Sequence, residues 1–152
     1  MILVLAFAIG VVAGMRSMMA PAVVSWAARW GWLPLGDSGL HFLASAPAAY
    51  LFSLCALGEL IADKLPKTPS RKAPPGFAAR IASGALCGAA LGVPDHALFP
   101  GLGAGIVGAV VGTLGGYQLR MRLARALGKD LPAALLEDII AIGGALLIVT
   151  RF

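Results

Sequence analysis

Glu59 and Asp63 stand one helical turn apart in LGELIADKLP, and Glu137 and Asp138 are neighbours in ALLEDIIAI, each pair inside an otherwise apolar run. An ionisable side chain in such a run costs about 2 to 3 kcal/mol at the centre of a bilayer and less near its edge, and such groups build ion paths and proton relays. All four acids are therefore candidate ion- or proton-binding groups. Arg16 and Ser17, in GMRSMMAP, add a cation and a hydroxyl to the first apolar stretch. Arg16 is the natural partner for Glu59 or Glu137, and the backbone N–H groups freed at a helix break there attract an anion. Lys64, Lys67, Arg71 and Lys72, in KLPKTPSRK, suit the phosphate of a lipid headgroup, although a basic loop beside a span also acts as a topology signal. The same acids and Arg16 also fit buried ion pairs that fix helix register.

The elements that carry these residues must lie in lipid. The chain has 152 residues, of which 59% are hydrophobic and 12% charged, and its mean hydropathy is +0.88. A soluble domain carries about 25% charged residues, so this chain lacks the polar surface to coat a water-facing globule. A span takes about 20 residues, which leaves room for a single transmembrane domain over residues 1–152 and for no separate soluble domain. The predicted fold is all-α, a polytopic bundle of about five apolar segments: 2–32, broken at GMRS, then 46–65, 77–93, 101–119 and 133–149.

Pro66 and Pro132 place Glu59 and Glu137 at comparable depths on antiparallel helices, about 10 and 8 Å from their ends at 1.5 Å per residue. That geometry predicts a shared, water-filled pocket. Basic residues collect at 64–80 and 120–130, whereas 33–45 and 93–100 have no Lys or Arg. By the positive-inside rule the two basic loops face the cytoplasm of an inner (plasma) membrane. The first segment either crosses once or turns back at GMRS. Trp26, Trp30 and Trp32 cluster as rings do at a membrane interface. The net charge of +5 lies in these loops, a pattern of membrane topology and not of nucleic-acid binding.

Glycines recur four apart at Gly84, Gly88 and Gly92 and again at Gly108, Gly112 and Gly116. Such stripes let helix backbones approach closely within a chain or across a homo-oligomer. GAGIVG at 103–108 fits a dinucleotide-binding pattern in letters only, because Pro100 and basic residues replace the strand and the acid it requires. Cys55 and Cys87 lie in apolar runs, which predicts free thiols. His41 and His96 are isolated, so no metal or cofactor is expected.

GMRSMMAP, GELIADKLPKTPSR, GAVVGTLGGYQLR and ALLEDIIAIGGAL together resemble the small prokaryotic membrane proteins grouped as domain of unknown function 4126, over nearly the whole chain. The resemblance implies a polytopic membrane protein, singles out Glu59, Asp63, Lys64, Pro66, Glu137 and Asp138, and implies no activity. MRS at 15–17 is also similar to the serine-arginine loop of undecaprenyl-diphosphate phosphatases, but the chain lacks their glutamate-rich helix and second serine-arginine element. Ser17 has no histidine near it in sequence to activate it, which weighs against an enzyme. The expected function is a small transporter or channel that binds a cation or protons at the carboxylates. The alternatives are flipping or processing of a phospholipid or polyprenyl phosphate, and a non-transporting scaffold. The expected partners are membrane lipids, a small cation or proton, and further copies of the chain.

Overall fold

The computed structural model describes residues 1–65 and 73–152. Among these residues the chain forms six α-helices and no strand: α1 (Ile2–Met15), α2 (Met19–Arg29), α3 (Ala46–Ala62), α4 (Pro74–Gly92), α5 (Leu98–Leu127) and α6 (Asp130–Val149). Short 3-10 turns at His41–Ala44 and Val93–Asp95 lead into α3 and out of α4. Three stretches are long and apolar enough to cross a bilayer, Pro74–Asp95, Leu98–Leu127 and Asp130–Val149, as in a membrane protein; α1 and α3 are shorter apolar helices.

The helix ends follow from local chemistry. Ser45 caps α3 by accepting from the Ala48 N–H at 3.3 Å, with Pro47 in the first turn, where a missing N–H leaves no bond unmade. Pro74 and Pro75 open α4 in the same way. Nothing stops α5 until Gly128, whose left-handed φ of 70° ends it. The predicted segment 101–119 is therefore too short, because Arg120, Arg122 and Arg125 continue the helix instead of opening a loop. Conversely, α3 stops at Ala62 and not at 65, with Asp63 as its C-cap. Asp130 lies in the first turn of α6, so Pro132 belongs to the helix start and does not mark its boundary.

The first apolar segment reverses direction. Phe7 and Val11 of α1 lie against Gly108 and Gly112 of α5, and Gly14 against Thr113, so α1 runs parallel to α5. On α2, Met18 meets Glu59 and Trp26 meets Ser53, so α2 runs antiparallel to α3. Arg16, extended at φ −139° and ψ 105°, with Ser17 and Met18 forms the tip between them. Thr113, whose hydroxyl donates to the Gly14 carbonyl at 3.2 Å, is 15 residues after Leu98 and 14 before Leu127. At about 1.5 Å per residue the tip thus lies about 22 Å along α5, within the span.

The centre of the bundle is backbone against backbone. A Cβ at Gly105 would overlap the Gly84 carbonyl, one at Gly88 would come within 2.8 Å of the Gly105 Cα, and ones at Gly108 and Gly112 would strike the Phe7 and Val11 carbonyls. The α4 stripe therefore faces Gly101 and Gly105 of α5, while Gly108 and Gly112 serve α1. By contrast, α3 buries only Ala49 and Ala56. Trp26 ties it to α2 through a 2.9 Å bond to Ser53 and an edge contact with Tyr50. Trp30 and Trp32 extend that ring cluster at centroid spacings of 5.3 Å.

Candidate functional site: a charge network at the tip of the broken helix

Arg16 is the residue around which the site is built. It follows the last turn of α1, where the helix dipole favours a cation, and is 1% exposed. An unpaired charge so placed is prohibitively costly, and two carboxylates answer it by meeting at one guanidinium nitrogen. Its Nη2 donates to Asp138 of α6 and lies 3.0 Å from Oδ2 of Asp63 at the end of α3. Arg16 therefore pairs with the two aspartates, Asp63 and Asp138, where the sequence pointed to Glu59 or Glu137. The cause is the reversal: it lays α2 along α3, bringing Glu59 onto the start of α2, and leaves Arg16 facing Asp63 and Asp138.

Glu59 has a different task. One of its oxygens accepts from the Ser17 N–H and hydroxyl, the other from the Met18 N–H, all at 2.9 Å. It fills the anion-attracting start of α2, so the donors freed by the break are met by the chain's own carboxylate. Ser17 is held from the other side too, since its carbonyl accepts from the Ser83 hydroxyl at the middle of α4.

Arg120 makes the second bridge. From α5 it donates to Asp63, pairs with Asp130 at 2.7 and 3.0 Å, and places Nη1 3.8 Å from Oε2 of Glu137. Glu137 and Asp138 are both buried, at 1% and 8% exposure. Being adjacent on a helix they point about 100° apart, Glu137 toward Arg120 and Asp138 toward Arg16. Lys64, read from the sequence as a headgroup ligand, lies 3.0 Å from the second oxygen of Asp138. Lys67, Arg71 and Lys72 lie outside the described residues.

Asp63, Asp138, Glu137 and Arg16 are thus brought together, and Glu59 adjoins them through Ser17, but guanidinium groups bridge the acids directly where a water-filled pocket was expected. Arg120, Asp130 and Ser83 were missed. A signal for Arg120 existed: Thr113, Gly116 and Arg120 fall on one face of an uninterrupted helix. Chemically, the network offers carboxylates that release a held cation when a proton or another cation takes their negative charge.

Compared with known proteins, residues 3–151 match the family described as Domain of unknown function (DUF4126). No curated protein and no solved structure matches the chain.

Proposed function

The chain belongs to this family, DUF4126, whose description assigns no chemistry, and we propose from the site that it is a small membrane transporter or channel whose carboxylates take up protons or a cation. The observation that carries this reading is Arg16, buried at the tip of a broken helix and shared by Asp63 and Asp138. Broken helices meeting ionisable groups within a membrane are the architecture of ion-coupled carriers. A proton or cation reaching Asp63 or Asp138 competes with Arg16 and releases the guanidinium from that carboxylate, while Glu59 keeps its hold on Ser17 and Met18. Release of the ion re-forms the pairs. Asp63 and Asp138 are 12% and 11% exposed at the side chain, which supports access from the end of the bundle bearing Lys64 and Lys129. The positive-inside rule turns that end to the cytoplasm of an inner membrane, with α3 and the α1–α2 hairpin completing the bundle.

Proteoliposomes carrying a trapped pH-, sodium- or potassium-sensitive dye test the proposal, each with its own ion gradient applied. Wild-type protein should dissipate at least one gradient, and Asp138→Asn should slow it by about tenfold or more, the loss of one charge-assisted contact in the path. A gradient held equally by empty and wild-type vesicles under every condition would leave a scaffold role instead. Equal flux in wild type and Asp138→Asn would remove that residue from the path.

A further inference from the structure

Three arginines on α5 have different surroundings, and the difference points to a ligand. Arg120 is engaged by Asp63, Asp130 and Glu137. Arg122 and Arg125 are exposed, one turn apart, and among the described residues neither pairs with a carboxylate. They border a furrow of about 250 Å³ whose other walls are Tyr117, Gln118 and Met121. The furrow therefore has two guanidinium groups at one end and apolar or amphipathic surface at the other.

The position of the furrow across the bilayer says what it faces. At about 1.5 Å per residue the 30-residue α5 is about 45 Å long, against a hydrocarbon core of about 30 Å. Measured from Leu98, the core is spanned by about residue 118, so Arg122 and Arg125 stand at headgroup level and Tyr117 at the boundary favoured by amphipathic rings. Guanidinium pairs of this kind match phosphate oxygens bidentately, and Met121 and Tyr117 continue toward the acyl chains.

We propose that this furrow binds the phosphodiester headgroup of an anionic phospholipid. The site is distinct from the charge network and does not depend on any transport role. It fixes the overhanging end of α5 at the membrane surface, next to the turn that starts α6.

Native mass spectrometry of the full chain in detergent, titrated with phosphatidylglycerol or phosphatidylcholine, tests the assignment. Phosphatidylglycerol should be retained in preference, and Arg122→Gln/Arg125→Gln should weaken its binding by about thirtyfold, the effect of two basic groups at an anionic surface. Arg29→Gln/Arg151→Gln, which removes the same charge from the opposite end of the bundle, should bind as wild type does. Circular dichroism confirms that each variant is folded. Equal weakening in both double variants would show diffuse charge attraction and overturn the site, as would unchanged binding in the furrow variant. Release of the lipid by millimolar inorganic phosphate would overturn the lipid assignment in favour of a soluble phosphate.

Discussion

Replacing Arg16 by Met removes the cation that Asp63 and Asp138 share while keeping most of the side-chain volume. Stranding one partner of a buried ion pair costs about 3 to 5 kcal/mol. Here each aspartate keeps a second cation, Asp63 the guanidinium of Arg120 and Asp138 the ammonium of Lys64 at 3.0 Å, which places the loss near the lower limit, about 3 kcal/mol. Asp138→Asn leaves Arg16 its 3.0 Å contact with Asp63 and removes a charge-assisted bond worth about 2 kcal/mol. Independent effects would sum to about 5 kcal/mol in the double variant; a shared interaction brings that to about 3, a coupling of about 2 kcal/mol. Unfolding of detergent-solubilised protein, followed by the fluorescence of the Trp26, Trp30 and Trp32 cluster, reads these values. For a chain of this size, about 3 kcal/mol corresponds to a midpoint lowered by about 6 to 12 °C. Coupling below about 0.5 kcal/mol, the scatter of independent sites, would refute the shared pairing, and an Arg16→Met protein as stable as wild type would refute the central place given to Arg16.

Further outcomes follow from single contacts. Gly105→Ala should destabilise the protein by about 3 kcal/mol or more, since its Cβ meets the Gly84 carbonyl; Gly103→Ala, with nothing within 4 Å, should be neutral or stabilising by up to about 1 kcal/mol in the same thermal assay. Glu59→Gln removes the charge at the start of α2 and should cost about 1 to 2 kcal/mol, with hydrogen exchange at the Ser17 and Met18 amides accelerating before that elsewhere in the bundle. In detergent, a maleimide should modify exposed Cys55 before buried Cys87, which should react only on unfolding, as peptide mapping would show.

The sequence exposed the acids because a carboxylate in an apolar run is conspicuous, and it exposed the break because GMRS interrupts an otherwise uniform helix. It did not reveal the pairing. The sequence offers Arg16 either Glu59 or Glu137, but position along a helix says nothing of the face, and the reversal at Ser17 and Met18 decides which acid meets which donor. Arg120 was hidden by its neighbours: Arg120, Arg122 and Arg125 together look like a topology signal, and only the continuous helix to Gly128 separates the inward guanidinium from the outward two. The α4 glycines were legible as a close-packing stripe, but their opposing residues, Gly101 and Gly105, were not, because a motif on one helix leaves its partner unspecified.

The glycine seam also sets what can move. With main chains in direct contact along the glycines, α5 has little room to slide or tilt against α1 or α4. The freedom lies with α3, which anchors only two alanines in the interior and carries both Glu59 and Asp63. In the transport cycle proposed above, α3 is the arm that swings against a rigid keel, held by polar contacts that can be broken and not by a packed apolar face, with Arg16 as the catch between them.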